Sequence, residues 1–167
     1  AADEVLRLAG RGAGVIGFMD DALLVDSAEY ALPMFRRLAE AGAPAKLKTP
    51  NGIHVHAVTP ELARAMWAGG VDGLALSIET IIPERMRTWS QKTSMDEFRR
   101  AVGWLFDAGF SRHHLVAYVM FGLPGQGLEE AVATRDFVAS CGVEPRIVVF
   151  TPVPRTSEFV KAVEVGM

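Results

Sequence analysis

The chain has 167 residues, half of them hydrophobic and 22% charged, which suits one domain (1–167) with a sizeable core and excludes disorder. Its net charge of −3 comes without a basic stripe, so nucleic acid is not expected as a direct partner, and no apolar run spans a bilayer or opens the chain as a signal peptide. A single cysteine, Cys141, allows neither an internal disulfide nor a cysteine-rich metal site and suits a cytoplasmic location.

One pattern returns five times along the chain. Asp3–Ala9 reads as a short helix, then Val15–Phe18 as a strand stopped by Asp20 and Asp21. Asp26 or Ser27 is the expected cap of the next helix, with Tyr30, Met34, Phe35 and Leu38 on its apolar face and Pro33 forcing a late start or a kink. Ala45–Thr49 is the second strand, running into a Pro50-Asn51-Gly52 turn. Thr59 then caps a helix with Pro60 at its first position. Gly73–Ile78 is the third strand, ending in Glu79-Thr80 and followed by a short helix over Pro83–Trp89. Ser94 and Glu97 form a capping box for a longer helix that Gly109 closes.

Leu115–Gly127, LVAYVMFGLPGQG, begins with an apolar run short enough for a strand buried on both faces. Gly122, Pro124, Gly125 and Gly127 end it, and a helix follows with Glu129 and Glu130 complementing its dipole. Arg146–Phe150 is the fifth strand. Strands that alternate with helices imply an α/β fold with a parallel sheet and right-handed crossovers. Five units are too few for eight strands, so a partial TIM-type (βα) barrel is expected. The abrupt start at AADEVLRLAG and end at KAVEVGM suggest a piece of a longer protein.

Polar residues gather just after the strand ends: Asp20, Asp21, Asn51, Ser77, Glu79, Gln126 and Thr151. One active rim predicts this placement, although loops are polar in any case. Ser77 and Glu79 are at alternate spacing, which puts both on one face at the strand's end. A carboxylate there calls for a ligand, a cation or hydrogen-bond donors. His54 and His56 form an H-x-H pair that could serve a metal, but following Pro-Asn-Gly it should lie beyond the strand. His113 and His114, at the amino end of the fourth strand, read as structural, and Trp67, Trp89 and Trp104 as packing residues.

Taken in order, FMDD, TPNGIHV, LSIET with Lys92 downstream, FGLPGQ and FTPVPRT resemble the second to sixth strands of radical S-adenosylmethionine (radical SAM) enzymes. The resemblance covers nearly the whole chain and is closest to members with a Phe-x-Asp-Asp strand, several of which carry a cobalamin-binding domain. It implies a partial barrel holding a [4Fe-4S] cluster and S-adenosylmethionine, with reductive cleavage to a 5′-deoxyadenosyl radical that acts on an unidentified substrate, and cobalamin as a further candidate cofactor. By position, the resemblance sets Asp20 and Asp21 near the methionine amino group and Ser77 and Glu79 toward the ribose and methionine. It sets Lys92 near the cosubstrate carboxylate, and Phe121, Gly122 and Leu123 beside the adenine. Thr151 and Pro152 match the sixth strand.

The C-x-x-x-C-x-x-C cluster motif is absent; the family carries it on a first strand that would precede Ala1, so the chain alone is expected to be inactive. Gln126 stands where glutamate is frequent and Arg155 where glycine is frequent. Two other readings stay open at this point: a metal-dependent barrel hydrolase using His54, His56 and Glu79, and a non-catalytic half-barrel scaffold. An exposed first-strand edge would make the chain self-associate.

Overall fold

In a computed structural model, which describes residues 1–20, 22–85 and 93–166, strands and helices alternate in chain order. The elements are α1 (Ala2–Gly10), β1 (Val15–Gly17), α2 (Ala31–Glu40), β2 (Lys46–His54), α3 (Pro60–Ala68) and β3 (Val71–Glu79). They continue with α4 (Met95–Ala108), β4 (Leu115–Phe121), α5 (Leu128–Ser140), β5 (Glu144–Val149) and α6 (Ser157–Glu164). The sheet is five-stranded and wholly parallel in the order β1-β2-β3-β4-β5. Sequential order with right-handed crossovers puts the helices on one face and the carboxyl ends of all strands on one rim. This is an open, partial TIM-type barrel.

Burial follows the pleat. Leu74, Leu76 and Ile78 of β3 and Leu115, Ala117 and Val119 of β4 are buried against the helices. Phe35 and Leu38 of α2, Met66 of α3 and Phe98 and Leu105 of α4 close that layer from the other side. Each of these side chains larger than alanine contributes about 1.5–3 kcal/mol by leaving water. The alternate residues of β4, Val116, Tyr118 and Met120, are only partly buried and lie on the open face.

Several start and stop signals work as the sequence indicates. Thr59 accepts from Leu62 N–H at 3.1 Å with Pro60 at the first helical position, Ser94 and Glu97 complete their capping box, and Gly109 ends α4 at φ +116°. Three expectations are corrected. Neither Asp26 nor Ser27 caps α2: turns occupy residues 22–30, Asp26 has φ +50°, and the helix starts at Ala31 with no side-chain cap. Pro33 explains the late start, because proline is tolerated only in a helix's first turn. Pro50-Asn51-Gly52 does not end β2 but forms an irregularity within it, between Thr49 and Ile53. His54 is consequently the last residue of the strand, paired with Ser77, and only His56 lies beyond it in a short 3-10 turn. Of the helix expected over Pro83–Trp89, Pro83 to Arg85 are helical and the remainder, with Trp89, lies outside the described residues.

Arg155 adopts φ +74° immediately before Thr156, whose hydroxyl accepts from Phe159 N–H to cap α6. A side chain in that left-handed region costs about 1–2 kcal/mol. Arg155→Gly is therefore expected to stabilise the chain by up to about 1 kcal/mol, after the extra entropy glycine loses on folding. Thermal unfolding should show the melting temperature rising by roughly 2–4 °C; a fall would mean that the arginine side chain outweighs the backbone strain.

Candidate functional site

The carboxyl rim is tied together by side chains bonded to backbone. Asp20 Oδ1 accepts from Ala22 N–H at 2.8 Å, turning the chain as it leaves β1, and Asp20 itself is exposed. Asp21 lies outside the described residues. Asn51 Nδ2 donates to Met19 C=O at 2.8 Å, joining the β2 irregularity to the β1 loop. Gly52, at φ +80°, allows the next contact. A Cβ there would sit 2.6 Å from Ser77 Oγ and 3.4 Å from the Tyr118 ring, so only glycine lets β2 approach so closely. The Tyr118 hydroxyl crosses to the same loop and donates to Pro50 C=O.

Glu79 ends β3 in an unusual conformation. Its φ is +62°, and Thr80 N–H donates across it to Ile78 C=O at 2.6 Å, the bond of a γ-turn with positive φ. Such a turn is rare and strained for a residue with a side chain. The register against β4 also slips here, Ser77 pairing with Tyr118 and Glu79 with the next residue, Val119. The simple alternation that put Ser77 and Glu79 on one face is thus interrupted between them. The Glu79 carboxyl is half-buried, and it has no hydrogen-bond or ion-pair partner among the described residues. Burial pushes its pKa above the ordinary 4.5.

The β4 loop is held by Gln126. Its Oε1 accepts from Gly122 N–H at 2.8 Å and Leu123 N–H at 3.2 Å, while its Nε2 donates to Met120 C=O at 3.0 Å. An amide satisfies all three groups at once, whereas an ionised glutamate would lack the donor. Phe121 is partly exposed at the strand's end, and its C=O accepts from Phe150 N–H at 2.8 Å, which places Thr151 and Pro152 beside the same rim. Thr151 is exposed and Pro152 half-buried.

The segment after β3 is anchored to α5. Glu130 accepts from the Thr80 hydroxyl at 2.6 Å and pairs with Arg85 Nε at 3.1 Å, and Arg85 also donates to Pro124 C=O at 2.9 Å. Ile81 N–H reaches Thr134 Oγ1 at 3.2 Å. With side chains only 21% and 11% exposed, Arg85 and Glu130 form a pair whose loss of one partner is costly. Lys92 lies outside the described residues.

Glu79, Ser77, Phe121, Gly122, Leu123, Thr151 and Pro152 therefore belong to neighbouring strand ends, with Asp20 at the end of β1. Tyr118, Gly52, Thr80 and the Arg85–Glu130 pair were not singled out by sequence reasoning. Gly52, Thr80 and Glu130 entered it only as turn, strand-end and helix-dipole residues, and Tyr118 carried a signal in the alternation along β4, which sets it on the face opposite Ala117 and Val119. The imidazoles of His54 and His56 stack with centroids 5.6 Å apart, but among the described residues no group of three or more His, Cys, Asp or Glu converges to hold a metal. The hydrolase ligand set of His54, His56 and Glu79 is not assembled. His114 is structural, its Nδ1 accepting from Ser111 N–H at 2.9 Å. Among the described residues, no helix is long and apolar enough to cross a membrane.

A family model described as the Radical SAM superfamily matches residues 2–138. Among solved structures, the radical S-adenosylmethionine methyltransferase TsrM from Kitasatospora setae, with cobalamin and a [4Fe-4S] cluster bound, aligns with a TM-score of 0.81 at 18% identity. That alignment covers 97% of this chain and 30% of TsrM. Coproporphyrinogen III oxidase (HemN) from Escherichia coli, a radical SAM enzyme, aligns at 0.66 with 14% identity over 98% of this chain and 38% of its own. The chain thus spans about a third of the length of these proteins, and the likeness is one of fold. No curated protein matches it in sequence.

The raised pKa of Glu79 has a definite consequence for stability. As pH rises, the unfolded carboxyl ionises first, near its ordinary value, so the folded state binds more protons between the two pKa values and stability falls. Glu79→Gln should remove that loss, raising the urea midpoint at pH 7 and leaving it unchanged below about pH 4. A midpoint lowered at pH 7 would mean that the charge is held by a favourable partner.

Proposed function

Because the chain belongs to the radical SAM superfamily, we propose that it forms the part of a radical SAM barrel that holds S-adenosylmethionine. The observation that carries this reading is the Glu79 carboxyl: half-buried, without a partner among the described residues, on a strained γ-turn at a strand's carboxyl end. Strain and desolvation persist where a ligand repays them. Hydroxyls of the ribose, or the amino group of the methionine, supply the donors that this carboxylate lacks.

The other residues that carry the family resemblance extend the reading. Ser77 presents a hydroxyl beside Glu79's strand end, and Asp20 and Asp21 supply carboxylates for the methionine ammonium, with Lys92 for its carboxylate. Phe121 and Gly122 offer an accessible edge to the adenine, with Leu123 buried beneath it; the Gly122 and Leu123 N–H groups are already satisfied by Gln126, so the loop is set before the ligand arrives. Thr151 and Pro152 continue that edge onto β5.

The family's reaction is reductive cleavage of S-adenosylmethionine with an electron from a [4Fe-4S] cluster. The residues of this chain do not fit that cluster, which needs several thiolates. Cys141 is the only cysteine, its thiol pKa is raised by burial, and it follows α5 at the end of the sheet opposite the rim. The proposal therefore assigns the ligands to protein outside residues 1–167. Cobalamin enters it as a second cofactor, on the FMDD strand's resemblance to cobalamin-associated members, and a cytoplasmic location suits the lone thiol.

In the cluster-loaded enzyme, Glu79→Ala is expected to weaken S-adenosylmethionine binding about tenfold or more, the loss of charge-assisted hydrogen bonds, and to reduce 5′-deoxyadenosine formation with the fold intact. Calorimetric titration and product chromatography read the two effects. Unchanged binding and cleavage would remove Glu79 from the site.

Self-association is also part of the proposal. β1 is an edge strand with Val15 57% exposed, and no described strand pairs with its outer side. Sedimentation of the 167-residue chain should show a dimer forming across about a hundredfold concentration range, which spans roughly 2.7 kcal/mol of association free energy. A monomer throughout would mean that the edge is covered by the chain itself.

A further inference from the structure

The Tyr118 ring and its bond to Pro50 C=O divide the open face of the sheet. On one side lies the carboxyl rim; on the other is a cavity of about 230 Å³, lined by Lys48, Gly73, Ala75, Val116, Tyr118 and Arg146 among others. Its charge is opposite to that of the chain as a whole. Lys48 has no hydrogen-bond or ion-pair partner among the described residues, and the nearest carboxylate to Arg146 is its own strand neighbour Glu144, at 3.9 Å. The acidic group lining the cavity, Asp72, is already engaged by Lys46 at 3.3 Å and faces His114 Nε2 at 3.9 Å. His113 also lines the cavity and adds no negative charge.

The backbone makes room for the lysine. Gly73 lies beside Lys48 in register, and Lys48 Cγ, Cδ and Cε pass 3.5, 3.6 and 3.8 Å from the position a Cβ would take there. The stem thus lies against β3 at Gly73, and Lys48, Tyr118 and Arg146 line the same cavity. Lys48, without a counter-charge among the described residues, and Arg146, held only by an exposed pair at 3.9 Å, are two exposed cations that line a cavity large enough for a small functional group, an arrangement that suits an anion.

We infer that this cavity receives an anionic group, a carboxylate or a phosphate, of the small molecule on which the enzyme acts. The inference rests on the function proposed above for the identity of that molecule as the substrate, and on the cavity alone for its charge. Tyr118 separates this group from the cosubstrate rim, so the anion anchors the far end of the molecule.

The test is a titration of the ¹⁵N-labelled 167-residue chain with inorganic phosphate and, separately, acetate, each against chloride at matched ionic strength. The expected result is saturable shifts of the Lys48, Gly73, Tyr118 and Arg146 amides with one or both anions, the tighter of the two naming the group. Lys48→Met and Arg146→Met should each weaken that response about tenfold, with the remaining spectrum unchanged as the check on folding. Shifts no different from those with chloride, or saturation undiminished in both variants, would overturn the inference. Shifts of Glu79 and Gly122 on adding S-adenosylmethionine to the cluster-loaded protein read the cosubstrate site separately. Their absence with the anion response intact would count against the proposed function and not against the anion site.

Discussion

The structure depends on one constraint: five parallel strands joined in sequential order. A parallel neighbour can be reached only by a crossover that returns along the sheet, and the right-handed twist of strands makes that crossover right-handed. Repeated from β1 to β5, the rule stacks the helices on one face and leaves the other open. It also brings the last residue of every strand to a single rim, although those residues are far apart in the chain. The core and the candidate site are thus two results of the same winding: Leu74, Leu76, Leu115 and Ala117 point into the helical layer, while Glu79, Phe121 and Tyr118 belong to the rim and the open face.

What holds the rim in place is of another kind. Beyond the strand ends there is no ladder, so the backbone groups of the loops need partners from side chains. Gln126 closes the β4 loop with three hydrogen bonds, Asn51 ties β2 to β1, and Thr80 and Arg85 converge on Glu130. The Asn51 and Glu130 ties run between strand units, the Gln126 bonds close their own loop, and together they allow strain to persist at Glu79, whose γ-turn would relax in an unconstrained loop. Positioning is therefore supplied by polar bonds over an apolar scaffold, as a site that must hold a polar ligand requires.

The lower half of the open face completes this division of roles. Tyr118 lies across the sheet, its ring against the space over Gly52 and its hydroxyl on Pro50, and separates an acidic, strained rim from a basic cavity. A molecule with an anionic end and a reactive end would meet these two environments in order along one axis.

By itself, the sequence determined the α/β class, the order of the elements and most of their caps, because these rest on local physics: hydrophobic period, the donors a helix end lacks, and the φ freedom of glycine. Thr59, Ser94 and Gly109 act within a few residues of where they stand, and the strand-end motifs were legible as a resemblance for the same reason. The tertiary structure decided what distance along the chain conceals. Pro50-Asn51-Gly52 looks like a turn, yet pairing with β3 on one side and the approach of Ser77 and Tyr118 on the other keep it within β2 and carry His54 into the strand. Glu79 reads as the next residue in an alternating strand, and only the register slip against β4 turns it out of that alternation. The Arg85–Glu130 pair and the Lys48–Arg146 cavity join residues from different crossovers. No local period encodes them, since they exist only once the sheet has closed the distance.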